Sequence, residues 1–181
     1  MSSGLPGYLR KVIEKAETFD VSASITRPAN ASAYAAGDAI ADTTATASSA
    51  VNTFASVSGV NGGRIRLDEV SCTLSVVPGT TPTLELWILD SEPTAQADNA
   101  GLDFTDAENN TVVAVIPLVQ TFSATNNMRL EATNLNRFIS LASGTTTLWW
   151  ELKVTNATTP SASDVYTVKC KGLLIDELDI T

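Results

Sequence analysis

The chain is predicted to be all-β, an antiparallel β-sandwich best arranged as a jelly roll, with a short helix or arm ahead of it. Three observations lead there. Ser and Thr supply 41 of 181 residues and Ala another 23, a composition suited to sheets with one solvated face. From Phe19 onward apolar residues recur at every second position, the period of a half-buried strand. Turn-forming clusters of Gly, Pro, Asn and Asp separate these runs.

The elements follow in order. In residues 1–17, Leu9, Val12, Ile13 and Ala16 fall at i, i+3, i+4 and i+7, with Arg10, Lys11, Glu14 and Lys15 between them. That pattern predicts a short amphipathic helix with Pro6-Gly7 as its start. About ten helical residues are marginal alone in water, so the segment needs a surface of its own domain or of a neighbour. Leu9, Val12 and Ile13 are therefore candidate interaction residues. Residues 18–181 form the sandwich domain. Phe19, Val21, Ala23 and Ile25 alternate with polar residues and end at Arg27-Pro28, and Thr53 to Val57 reads as a second strand. In Arg64–Val77 the apolar phase moves from Ile65 and Leu67 to Val70, Cys72, Leu74 and Val76. A one-residue slip of this kind predicts a β-bulge near Asp68-Glu69. The turn at 78–82 sends Leu84, Leu86 and Ile88 back antiparallel. Strands are expected next at Thr111–Val119, Met128–Ala132, Arg137–Ala142, Thr146–Thr155 and Val165–Ile175, giving nine or ten, with helix nowhere beyond the N-terminus.

Bulk composition narrows the function. With 44% hydrophobic and 17% charged residues the chain can bury a core. A net charge of −9 repels nucleic acid and anionic membrane, so neither is expected as a partner. No apolar run approaches a membrane span, and Met1 to Arg10 lack the apolar stretch of a signal peptide. Synthesis in a cytosol is the simpler expectation. Cys72 and Cys170, 98 residues apart, form no CxxC motif; buried reduced thiols are expected, a structural disulfide being the alternative.

The chain has no histidine, which removes the commonest general base and transition-metal ligand. A Ser-His or Cys-His nucleophile is impossible, the aspartic-protease triplet is missing, and no phosphate-binding glycine loop occurs. No enzyme activity and no cofactor are expected. Residues 90–108 gather six carboxylates but lack EF-hand spacing, so a solvated turn-rich loop is the simpler reading over a calcium site. Trp149 and Trp150 must point to opposite faces of an extended strand. Trp150 joins Leu148, Leu152 and Val154 in the core, which leaves Trp149 outside with Glu151 and Lys153. Trp87 likewise stands apart from Leu84, Leu86 and Ile88. Each outer ring either covers a neighbouring strand or loop, or serves a subunit interface or a sugar-stacking platform.

The stretch Ile25-Thr26-Arg27-Pro28, followed by Tyr34-Ala-Ala-Gly37-Asp38, resembles the opening of many tailed-bacteriophage structural proteins. Gly62-Gly63-Arg64-Ile65, the Leu84–Asp90 strand, Pro93-Thr94 and Asp98-Asn99-Ala100 follow in that family's order, so the resemblance spans about residues 19–120. It implies a β-sandwich and a place in the virion of a particle made in the host cytoplasm. The implied role is a capsid decoration or cement subunit, as a homotrimer bound to the major capsid protein. A tail-associated carbohydrate- or receptor-binding module using Trp87 or Trp149 is the alternative.

Overall fold

A computed structural model describes residues 17–45 and 50–175. The helix expected in residues 1–17, with Leu9, Val12 and Ile13, lies outside the described residues but for Glu17.

Among the described residues nine strands form: β1 (Thr18–Thr26), β2 (Ala39–Ile40), β3 (Thr53–Phe54), β4 (Arg64–Leu74), β5 (Leu84–Leu89), β6 (Val112–Ser123), β7 (Met128–Ser140), β8 (Leu148–Val154) and β9 (Val165–Ile175). Their antiparallel pairings are nested: β5 with β6, β4 with β7, β2 and β3 with β8, and β1 with β9. The chain is thus one long hairpin, rolled so that β4 also meets β9 and β5 also meets β8. That is jelly-roll topology. The strand order is β1-β9-β4-β7-β6-β5-β8-β2. β6 joins the two halves, pairing with β5 through Leu118 and with β7 from Val119 onward.

Period-two alternation decides which side chains go inward. On β9 Tyr166, Val168 and Cys170 are buried while the residues between them are partly exposed. One core cluster takes Ile65, Val70, Leu74 and Val168 from the first sheet and Leu86, Ile116, Trp150 and Leu152 from the second. Phe54 stacks on Trp150 at 5.2 Å between ring centroids, so two-residue β3 contributes mainly as an anchor for that ring. Cys72 lies opposite Val168 and Cys170 opposite Val70, which makes the thiols diagonal neighbours on the inward face. Both are free and buried, and burial pushes both well above the ordinary thiol range.

The bulge sits where the phase slip puts it. Asp68 is skipped in the pairing of β4 with both β7 and β9. Two details differ from expectation. The strands expected at Met128–Ala132 and Arg137–Ala142 are one strand, β7, which follows β4 across the irregularity. Asn134 and Asn136 absorb it at φ of 58° and 47°, a region that Asn tolerates better than most residues. Residues Asp106–Asn109 form a one-turn helix, α1, inside the acidic loop. Thr105 and Glu108 close a capping box on it, a signature readable in the Thr-x-x-Glu spacing.

Gly172 marks the tightest approach. A Cβ there would lie 2.0 Å from the Arg66 carbonyl oxygen and 2.7 Å from the Phe19 ring. Backbone cannot yield as a flexible side chain can. Gly172→Ala is expected to destabilise the domain by about 2–3 kcal/mol, an overpacking cost, read as a lower urea midpoint in circular dichroism. A midpoint equal to that of the unsubstituted protein would mean β1 and β4 separate freely at this point. In the same protein, Cys72 and Cys170 should resist a thiol reagent until denatured, then react fully without reductant.

Candidate functional site

Arg27, Tyr34 and Asp98, three of the residues that carry the resemblance, meet at one end of the sandwich, while Arg64 lies at the other end of the first sheet beside Ser140 and Ile175. Arg27 closes β1 and is 2% exposed. Its Nη2 donates to Asp98 Oδ2 at 3.0 Å and its Nη1 to the Ser161 carbonyl at 3.1 Å. Its Nε donates to the Tyr34 hydroxyl, which in turn donates to Asp98 Oδ1. Asp98 Oδ1 also accepts from the Ala41 amide at 3.1 Å. Arg27, Tyr34, Ala41 and Asp98 are buried, and the salt bridge has no solvent-exposed side-chain surface.

Local chemistry explains the geometry. Pro28 ends β1 because it cannot donate to a ladder, and Gly37 at φ 104° turns the chain. Asp38 Oδ2 accepts from the Ala35 amide at 2.6 Å, fixing that turn. The chain then runs beside the acidic loop: Ala39 donates to Ala100, Asn99 to Ala39, Leu102 to Gly37 and Asp98 to Thr43. Burial opposes the Arg27 charge, but Tyr34 and Asp98 outweigh it and raise the guanidinium above its ordinary value. Burial first, then Asp98, pushes the Tyr34 hydroxyl far up, so it stays a neutral donor. A buried ion pair satisfied on all sides stabilises a unique arrangement, whereas removing one partner leaves a buried charge.

Asp98 is thus no solvated loop residue. The acidic stretch is organised by its own carboxylates: Glu108 Oε2 accepts from the Thr105 amide at 2.8 Å and its Oε1 from the Thr94 amide at 2.5 Å. Those donors pull Glu108 down to about 2. Among the described residues no three His, Cys, Asp or Glu side chains group as a metal site.

Trp87 and Trp149 lie on the outer face of the second sheet, half-buried. Trp87 is opposite Glu151 and Trp149 opposite Leu89, so the rings are diagonal neighbours across β5 and β8. The Trp87 ring has neighbours on its own face. Trp87 packs at 5.8 Å from the Phe104 ring, lies under the Lys153 ammonium at 5.2 Å and donates to Glu85 at 3.2 Å. Glu151, expected beside Trp149 in solvent, is 1% exposed. Its Oε2 accepts from the Asn52 side chain at 3.3 Å, while its Oε1 has no partner among the described residues. Asn52 lies just ahead of β3. Burial, with Asp42 nearby, pushes the Glu151 carboxyl up to about 8. Leu9, Val12 and Ile13 are not placed.

No family model and no curated protein matches the chain. Among solved structures it is similar to a chain of the cyanophage Pam1 capsid asymmetric unit, at 14% identity and TM-score 0.36, over 97% of this chain and 93% of that one. It is similar to a chain of Desmodium yellow mottle tymovirus at 13% identity and TM-score 0.32, over 100% and 95%. A chain of the Israeli acute paralysis virus full particle shows 12% identity and TM-score 0.31, over 99% and 84%. Likeness at this level assigns neither a family nor a function.

Two outcomes test the site. Asp98→Asn should destabilise the domain by about 3–5 kcal/mol, because it strands the Arg27 charge. Arg27→Met with Asp98→Leu should cost less than the two single changes added together, as a double-mutant cycle in urea will show. For Glu151, the folded state holds a proton up to about pH 8 that the unfolded state releases near the ordinary carboxyl value of about 4.3. Its contribution is therefore full below that lower value and is lost as pH rises through about 8. Glu151→Gln should flatten the fall in melting temperature across that window. An unchanged pH slope would place the carboxyl in water.

Proposed function

We propose that the protein is a structural component of a tailed-phage virion, a capsid decoration or cement subunit that stabilises the head and catalyses nothing. The carrying observation is the convergence of Arg27, Tyr34, Gly37, Asp38 and Asp98 on one end of a jelly roll. Residues that look like separate motif fragments in the sequence are one interlocked unit in the fold. Their chemistry is that of rigidity: the amides and carboxylates are engaged with each other rather than aimed into a cavity. A rigid body of this kind suits a shell component, which must hold its shape under load from its neighbours.

The outer face of the first sheet supports the same reading. It carries a ladder of paired charges, Asp20 with Lys169 at 2.9 Å, Glu69 with Lys171 at 3.1 Å and with Arg129 at 3.0 Å, and Arg129 with Glu131 at 2.8 Å. Such a surface is soluble alone and offers polar contacts to other subunits. On this reading the subunit assembles as a homotrimer on the major capsid protein.

Electron microscopy and mass spectrometry of purified particles test the proposal. The protein should be found on the head, at a copy number set by capsid symmetry and in clusters of three. Location at the tail tip, together with glycan-array binding that Trp149→Ala abolishes, would overturn it in favour of a receptor-binding module.

A further inference from the structure

The outer face of the first sheet changes character beyond the bulge. On one side of Asp68 the outward residues of β1, β9, β4 and β7 are mostly polar and include the paired charges, with Val119 and Phe122 exposed on β6 beside them. On the other side, one register row runs Thr18, Leu173, Arg66, Phe138 across β1, β9, β4 and β7. The next row places Ile175 beside Arg64 and Ser140. Phe138 is 57% exposed and Leu173 and Ile175 are half-buried, so three apolar side chains crown this end. Shallow clefts of about 340 and 380 Å³ flank it. Between them they are lined by Asp20, Asp68 and Glu69, with Arg66 and Lys171. The Asp20 and Asp68 side chains remain 52% and 33% exposed despite their ion pairs.

We propose that residues 1–16 of the same chain cover this patch. Three features point to that occupant. The first is where the segment attaches: the Glu17 carbonyl accepts from the Leu174 amide at 2.7 Å, and Thr18 lies opposite Leu173, so the segment's point of attachment, Glu17, is at the margin of the patch. The second is length. Phe138 is three strands from Thr18, about 14 Å at the usual strand spacing, and ten helical residues span about 15 Å. The third is chemistry. The Leu9, Val12, Ile13 and Ala16 spacing puts four apolar residues on one helical face, matching Leu173, Ile175 and Phe138. Arg10, Lys11 and Lys15 outnumber the lone Glu14 in this segment, while the whole chain is at −9. Asp20 and Asp68, paired but still partly exposed, are the carboxylates within reach of those cations, with Arg64 and Arg66 on the same patch. The segment thus seals its own sheet, and this holds whatever particle the protein belongs to.

Cross-linking on the full chain tests it. Leu9→Cys combined with Phe138→Cys should oxidise to an intrachain disulfide, seen as a shifted band of single-chain mass on non-reducing electrophoresis. Buried Cys72 and Cys170 do not compete. Leu9→Cys with Phe122→Cys is the control, since Phe122 lies on β6 and is 54% exposed; it should oxidise at least tenfold more slowly. Deleting residues 2–16 should also speed hydrogen exchange of the β9 amides near Leu173 by about tenfold or more. Equal oxidation of the two pairs, cross-links only between chains, or unchanged exchange after deletion would each overturn the proposal.

Discussion

The buried Arg27 guanidinium is the constraint around which this jelly roll is organised. A charge with no solvent access is tolerated only when its donors are all used. Satisfying it requires groups from far apart in the chain: Tyr34 after β1, Asp98 in the β5–β6 loop and the Ser161 carbonyl ahead of β9. The Arg27 amide also donates to the Asp164 carbonyl at 2.9 Å, and Asp164 Oδ1 accepts from Ser75 at 2.7 Å. One cation therefore fixes the positions of the loops that close one end of the sandwich.

The nested pairing explains why such a tie is useful. β1 lies against β9 although Thr26 and Val165 are separated by nearly the whole domain. Contacts of that sequence separation carry a large closure entropy and form late. A hydrophobic core alone tolerates several ways of rolling a hairpin, since burial is non-directional. Hydrogen bonds with fixed geometry between Arg27, Tyr34 and Asp98 reject arrangements that leave any of them unpaired. Close approach does the same at the opposite end of β1, where the Phe19 ring and the Arg66 carbonyl leave room only for a glycine at position 172.

Much of this was legible in the residues. The slip from Ile65 and Leu67 to Val70, Cys72 and Leu74 located the bulge, because the pleat has a period of two and any insertion inverts it. The split of Trp149 and Trp150 between faces follows from the same rule. The continuity of β7 was not legible: Asn134-Leu135-Asn136 reads as a turn, and only the pairing with β4 keeps the strand together through it. Nor does periodicity reveal that Asp98 is a core residue while Asp103, five positions later, is exposed. Its partners lie 71 and 64 residues away, and local pattern carries no information on contacts of that range. The Ile25-Thr-Arg-Pro and Tyr34 stretch did carry a signal, but as resemblance rather than physics. The α1 capping box, by contrast, is local, carried by the Thr105-x-x-Glu108 spacing alone.

The distribution of acids shows how a strongly negative chain avoids both self-repulsion and reactive clusters. Asp20, Asp68, Glu69 and Glu131 are paired on the outer sheet face, where each ion pair is weak but the set is mutually screened. Asp98 is neutralised inside and Glu108 is spent on a helix cap. Asp164 and Glu151 are the exceptions, buried carboxyls that each keep one oxygen without a partner among the described residues; Glu151 is the one in the second sheet. Its opposite number is Glu108: donors hold one carboxyl down to about 2 and burial lifts the other to about 8. Protonation stabilises the covered second sheet at Glu151 and weakens the acidic loop at Glu108. The second sheet and the acidic loop therefore respond to pH in opposite directions, and the folded state is best served between them.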